Sequence, residues 1–267
     1  MPSESRVPPV PAVLRLVQSV VLGRWRASVE TLYRELADLL EAAAGKDVLV
    51  SGCGDGRNAE WLARRTGAAV IGVDPDAARM AAATTRVGAD GRTSTVSFQV
   101  APLHDLPFDD AVFDGAIGEP VLAASADPAR AVAELARVVK PYAPVVLCQL
   151  TWNADFDAEE REAVIERLGL GLRHLVEWKQ MMREAGLVDI EVQDWTDSGT
   201  RGRVGTTPNF TLRQKLQIAS RAWRRWGWRA ARGAVEKETQ LLQDLAQERA
   251  VGFHVIRGVK WPHPRSP

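Results

Sequence analysis

The chain has 267 residues, two cysteines and a formal net charge of zero, with 34 basic and 34 acidic side chains in balance. Such a length buries a sizeable core in one elaborated domain. Balanced charge gives no global pull toward nucleic acid, two cysteines exclude a disulfide framework, and no apolar run reaches the roughly 20 residues that span a bilayer. The nearest approach to such a run, VPAVLRLVQSVVLGRW, is interrupted by Arg15 and Gln18. It also lacks the basic start and small-residue cleavage site of a signal peptide, so a cytoplasmic location is expected.

Residues 1–11 carry four prolines and read as a loosely attached leader. From Ala12 to about Ala44 the apolar spacing is helical (Leu14, Val17, Val20, Val21, then Leu32, Leu36, Leu39, Leu40), with Gly45 as its expected stop. Strand and helix signals then alternate. DVLVS predicts a strand, RNAEWLARRTG a helix ended by Gly67, AAVIGVD a second strand, and PDAARMAAATTRVG a helix with Pro75 near its start. STVSFQV and AVFDGAIG read as strands three and four, DPARAVAELARVVK as the helix after them, and APVVLCQLTW as strand five. RHLVEWKQMMREAG is helical, and LVDIEVQDW and VGFHVIRGVKW are the last two strands. Strands separated by helices of this length imply βαβ units and a parallel sheet.

Three glycines at alternate positions, Gly52, Gly54 and Gly56, follow the first strand directly. In an open parallel sheet, ligands bind beyond the carboxyl ends of the strands, and glycine there lets the backbone approach a ligand closely. A tight strand-to-helix turn is the plainer explanation of the same spacing. The second strand sharpens the reading: it ends at Asp74, about 20 residues on, where an acidic side chain accepts from both hydroxyls of a ribose. Helix capping by Asp74 or Asp76 is compatible with that role.

A dinucleotide fingerprint places its third glycine one position later, and here residue 57 is Arg. With this glycine spacing the sequence resembles the class I S-adenosylmethionine-dependent methyltransferases of the small-molecule, type 11-like group. The resemblance continues in order through HDLPFDDAVFDGAIGEPVL, RAVAELARVVKPYAPVVLCQL and MMREAGLVDIEVQDW, and so covers residues 46–195. It implies an α/β, doubly wound, Rossmann-like, mostly parallel seven-stranded sheet with an antiparallel final strand. It also implies S-adenosylmethionine as cofactor and methyl transfer to a small organic acceptor by in-line displacement.

Carried over by position, the resemblance gives roles. Gly52, Cys53, Gly54 and Gly56 form the loop beneath the methionyl part, Asp74 holds the ribose, and Pro75 lines the adenine side. The backbone at Leu103 meets the adenine edge, and Gly118 and Glu119 lie near the methionyl amine and the acceptor's mouth. Three positions depart from the family's pattern. Val50 stands where many members have an acidic residue, Pro102 where an acidic residue often contacts adenine (a contact then missing or supplied by Asp105), and Tyr142 where a glycine usually follows Lys-Pro.

The domain organisation expected is a leader and helical segment over 1–45, the cofactor-binding core over 46–195, a helical insertion over 196–249 and a final strand and tail over 250–267. The insertion carries Arg221, Trp223, Arg225, Trp226 and Arg229 and reads as a lid or subunit contact, which leaves a homodimer open. His104, His174, His254 and His263 show no metal-ligand spacing, so no metal is expected, and His104 lies closest to the cofactor region. Cys53 and Cys148 read as small packing residues. No general base is singled out. Alternatives are a non-catalytic protein binding S-adenosylmethionine or S-adenosylhomocysteine, and a nicotinamide-dependent oxidoreductase. A nucleic-acid methyltransferase is disfavoured by the zero net charge and the lack of an N-P-P-Y-like tetrapeptide.

Overall fold

The computed structural model describes residues 26–89, 95–153, 161–162, 171–195, 220 and 251–262. The leader, the first half of the N-terminal helical segment, His263 and the arginine- and tryptophan-rich part of the insertion lie outside the described residues. The chain divides into two units, and the site below belongs to the one comprising Thr31–Thr151, Arg173–Asp194 and Phe253–Pro267. The other takes in Met1–Glu30, Trp152–Leu172 and Trp195–Gly252.

The strands are β1 (Asp47–Ser51), β2 (Ala69–Asp74), β3 (Val96–Val100), β4 (Gly115–Gly118), β5 (Pro144–Trp152), β6 (Arg173–His174), β7 (Leu187–Asp194) and β8 (Val251–Lys260). The helices are α1 (Arg26–Leu39), α2 (Arg57–Thr66), α3 (Ala77–Ala89), α4 (Pro128–Val138) and α5 (Leu175–Glu184), with a 3-10 turn over Pro120–Ala124. The sheet runs β3-β2-β1-β4-β5-β8-β7, parallel from β3 to β5, with β8 antiparallel to β7. It is the doubly wound sheet the sequence predicts. The pair Arg173–His174 beside β5 adds an eighth, very short strand. The chain moves outward from β1 to β3 and then returns past β1 to β4, so the order reverses between β1 and β4, where such folds bind ligands.

Local chemistry explains the elements that shape this reversal. β1 lies between two neighbours, and Val48, Leu49, Val50 and Ser51 are all buried, which is why it reads as an unbroken apolar run. α2 begins after Gly56 and ends at Gly67, both in the left-handed region, and Gly67 N–H donates to Ala63 O at 2.9 Å. α4 is capped by the Asp127 carboxylate, which accepts from Arg130 N at 2.9 Å, with Pro128 in the first turn.

Three boundaries differ from the sequence reading. α1 stops at Leu39, six residues before Gly45. Ala42 N–H reaches Ala37 O at 2.9 Å and Glu41 N–H reaches Asp38 O at 3.1 Å, a helix-ending motif with Glu41 at φ 52° in the place glycine usually takes. β4 is half its expected length. Ala111 sits at φ 58°, and both Val112 N–H and Phe113 N–H turn to Val138 O, so regular pairing starts only at Gly115. α5 starts at Leu175, because the His174 and Glu177 side chains form a reciprocal cap, with His174 N–H on Glu177 Oε2 at 2.7 Å.

Arg137 fixes the loop after β3. Its guanidinium donates to Leu106 O (3.0 Å), Phe108 O (2.7 Å), Asp110 Oδ1 (2.8 Å) and both oxygens of Glu134, while Glu134 Oε2 also accepts from Leu106 N–H. These partners hold the Glu134 carboxyl below, and the Arg137 guanidinium above, their ordinary ranges. Lys260 Nζ caps the end of α4 through Arg137 O and Val139 O. The loop that carries Leu103 is thereby anchored from below.

Candidate active site

The site grows from the register of β1 on β4. Ser51 pairs with Gly118, and Glu119 N–H donates to Ser51 O at 3.0 Å, so the two strands end side by side. Gly52, Gly54 and Gly56 have φ of 79°, 59° and 74°, values that favour glycine at all three. Their surroundings differ. A Cβ on Gly52 would overlap Val121 Cγ1, and would lie 3.5 Å from Glu119 Cβ and 3.7 Å from Leu103 Cδ1. A Cβ on Gly56 would overlap the Phe98 ring and meet Ala83 Cβ at 3.1 Å, whereas on Gly54 it would meet nothing within 4 Å. The protein's own packing therefore calls for glycine at 52 and 56, whereas among the described residues nothing crowds the face of Gly54.

Asp74, buried at the end of β2, ties this loop down. Its Oδ2 accepts from Gly54 N–H and its Oδ1 from Asp76 N–H, each at 3.0 Å. Asp76, rather than Asp74, caps α3, accepting from Arg79 N–H at 3.1 Å. A carboxylate offers about four acceptor positions, so two accepted N–H groups leave Asp74 able to take two hydroxyls. Gly52 N–H and Cys53 N–H both donate to Val73 O, at 2.8 and 3.0 Å, which locks the loop onto β2.

On the β4 side, Glu119 is partly buried and its Oε1 receives the hydroxyl of Tyr33, from α1. Asn58 Nδ2, in the first turn of α2, stands 3.4 Å from the same oxygen. Burial pushes the Glu119 carboxyl up to about 8. Gln149 Nε2, from β5, braces the strand end through Gly118 O (3.2 Å) and Glu119 O (3.1 Å). Among the described residues Gln149 Oε1 and Ser51 Oγ are buried without hydrogen-bond partners, polar atoms near the strand ends that suit a polar ligand.

The structure thus brings Gly52, Leu103, Glu119 and Val121 together, and joins Gly54 to Asp74. Cys53 is buried with Sγ 3.8 Å from Met80 Sδ, and burial beside Asp74 pushes its thiol up to about 12, so it packs as a neutral group. Cys148 is likewise raised by burial. Pro75 is exposed. Asp105, the alternative adenine contact, is exposed and 3.9 Å from Arg130 Nη2. His104 Nδ1 stands 3.4 Å from Ser125 Oγ. Val50 is buried within β1. Tyr142 takes the glycine-like φ of 66° at the turn before β5, exposed and edge-on to Trp261 at 5.7 Å. Tyr33 and Asn58 escaped the sequence reading. Tyr33 differs from its apolar helical neighbours by one hydroxyl, and nothing local marks it as a partner for a residue 86 positions away.

A doubly wound sheet, a left-handed glycine loop at its reversal and an acidic residue ending the second strand define a nucleoside-binding enzyme core. The family described as "Methyltransferase domain" matches residues 49–147. Methyltransferase GfsG of Streptomyces halstedii is 30% identical over 188 residues, which is 68% of this chain and 67% of that protein. Among solved structures, the [4+2]-cyclase SpnF superposes with TM-score 0.72 at 20% identity, covering 94% of this chain and 93% of its own. Phosphoethanolamine N-methyltransferase 2 of Haemonchus contortus, bound to S-adenosyl-L-methionine, gives 0.69 at 19%, covering 96% of this chain and 61% of that one. The chain belongs to the class I S-adenosylmethionine-dependent methyltransferases, and S-adenosylmethionine is its cofactor. No helix among the described residues is long and apolar enough to cross a membrane.

Proposed function

We propose that the chain methylates a small organic acceptor by in-line displacement, with the cofactor held across the ends of β1, β2 and β4. The observation that carries this reading is the open face over Gly54 beside the Asp74 carboxylate, which has acceptor capacity to spare. Bound S-adenosylmethionine supplies a methyl group made electrophilic by its sulfonium. Asp74 accepts the two ribose hydroxyls while keeping Gly54 and Asp76 in place. Gly52, Cys53 and Gly54 offer their backbone to the methionyl part, Gly56 and α2 continue that wall, and Gly118 and Glu119 border the acceptor's mouth. Leu103, held by the Arg137-anchored loop, and Pro75 line the adenine. What the residues contribute to rate is orientation at near-attack distance and exclusion of water.

The core over 46–195 carries these roles in our reading. A small acceptor agrees with the phosphoethanolamine named for one neighbour of the same fold. The test is calorimetric titration with S-adenosylmethionine, S-adenosylhomocysteine and NAD, repeated on Asp74→Ala. S-adenosylhomocysteine release is then followed over a panel of small hydroxyl, amine and thiol acceptors. Micromolar binding of the first two ligands that collapses in the variant supports the site. Unchanged affinity in Asp74→Ala would sink it.

A further inference from the structure

The methionyl part of the ligand read above carries an ammonium group, and an ammonium drawn out of water needs an acceptor and a counter-charge. The carboxylates around the glycine loop are already engaged, with one exception. Asp74 accepts two backbone N–H groups and, in our reading, the ribose. Asp55 is paired with Arg57 at 2.9 Å, and Glu60 with Arg64 at 3.0 Å and Arg86 at 3.2 Å. The end of β1 offers none, since Val50 is apolar and Ser51 is neutral. The exception is Glu119. Its N–H donates to Ser51 O at 3.0 Å and its O accepts from Gln149 Nε2 at 3.1 Å, which fixes its backbone beside the loop. Its Cβ lies 3.5 Å from where a Cβ on Gly52 would stand. The carboxyl itself is half committed. The Tyr33 hydroxyl and Asn58 Nδ2, both uncharged, address Oε1, and among the described residues Oε2 has no hydrogen-bond partner and the carboxyl no cation. Tyr33 is buried in α1 and stands edge-on to Trp61 at 6.4 Å, so packing aims its hydroxyl.

We propose that Glu119 is the counter-charge of the methionyl ammonium, and that Tyr33 is a positioning residue that holds Oε1 and leaves Oε2 to the ligand. This rests on the reading of the site above, which lays the methionyl part over residues 52–54, next to this carboxyl. An ammonium beside it favours the ionised form, whatever the state of the empty site. Two neutral donors on one oxygen leave the carboxylate charge uncancelled, so the ligand pairs with it without displacing a cation of the protein. They also fix the direction of the carboxyl before the ligand arrives, which spares the entropy of ordering it on binding. The two ends of the cofactor are then recognised separately. The nucleoside end depends on Asp74, within the matched residues 49–147, whereas the amino-acid end depends also on α1, which lies outside them.

The experiment is calorimetric titration of the full chain at about pH 7, where the ligand's amino group is charged. The ligands are S-adenosylhomocysteine and its deamino analogue, in which hydrogen replaces the amino group and all else is kept. The wild type should bind the analogue about 10- to 100-fold more weakly. Glu119→Gln keeps the shape and removes the charge. It should weaken S-adenosylhomocysteine by about the same factor and change the analogue by about threefold or less. Tyr33→Phe should weaken S-adenosylhomocysteine by about three- to tenfold and the analogue by about twofold or less, a selectivity that a merely structural tyrosine would not show. Asp74→Ala should weaken both ligands alike, and urea unfolding checks that each variant is folded. Equal losses for the two ligands in Glu119→Gln, or no loss for either, would overturn the proposal, and a collapse of both in Asp74→Ala would leave the site reading intact. Equal affinity of the wild type for the two ligands would overturn it without any variant. If the folded wild type binds neither ligand, both fall together.

Discussion

The two walls of the site meet at Gly52 but are built by opposite means. The β1–α2 loop is assembled from residues within about 25 positions of one another. A strand end, three left-handed glycines and Asp74 hold it, almost entirely through backbone atoms. The β4 wall is assembled from side chains brought from α1, α2 and β5, and its central carboxyl, Glu119, is held by Tyr33 and Asn58. The first wall has a fixed shape. The second depends on long-range side-chain contacts.

Substitutions at the loop should separate those functions. The largest effect is expected for Asp74→Ala, which removes the ribose acceptor and leaves two backbone N–H groups unpaired. Unfolding in urea should show a loss of about 2–4 kcal/mol, and calorimetry a loss of cofactor affinity of about 100-fold or more. Next come Gly52→Ala and Gly56→Ala, where a methyl group would overlap Val121 or Phe98 on top of the left-handed φ. Each should destabilise the fold by about 2–4 kcal/mol. Gly54→Ala has open space and only the backbone term, so about 1 kcal/mol of stability is lost, but cofactor affinity should fall about tenfold or more. If Gly54→Ala costs as much stability as Gly56→Ala, the distinction among the three glycines is wrong.

A smaller effect tests the second wall without any ligand. Glu119 has a pKa raised by burial, so its contribution to stability is fully present below the unfolded value, about 4.5, and is lost as pH rises toward about 8. Glu119→Gln should therefore gain stability relative to the wild type as pH goes from 5 to 8.5, read from urea midpoints. His254, on β8 and making no contact with either the glycine loop or Glu119 among the described hydrogen bonds, gives the control. Its imidazole accepts or donates at Thr151 Oγ1 (2.8 Å) and lies 3.8 Å from Asp194. Burial lowers its pKa, so the stability it contributes is present above about 6.5 and fades as pH falls below that value. His254→Gln should flatten the acid side of the stability profile and leave the alkaline side, governed by Glu119, unchanged.

The same contrast explains what could be read from the sequence. DVLVS, the glycines and Asp74 announce themselves because strand burial, left-handed turns and acidic strand ends have local signatures. The sequence could not say that Gly52 and Gly56 answer to Val121 and Phe98, since those neighbours arrive through sheet pairing. Tyr33 was hidden among the apolar positions of its helix. Glu41 ends α1 at φ 52°, a left-handed conformation that costs a non-glycine residue roughly 1–2 kcal/mol, so Gly45 is the more obvious candidate. Nor does Arg137 stand out among the chain's basic residues until the loop from Leu106 to Asp110 wraps onto it.

The most direct test of the central claim is a crystal structure of the chain with S-adenosylhomocysteine. Our account predicts both ribose hydroxyls on the Asp74 carboxylate, with Gly54 N–H still held, the methionyl part over the backbone of residues 52–54, and Glu119 beside the methionyl amine. A ribose bound away from Asp74, or a ligand seated anywhere other than over Gly54, would contradict it.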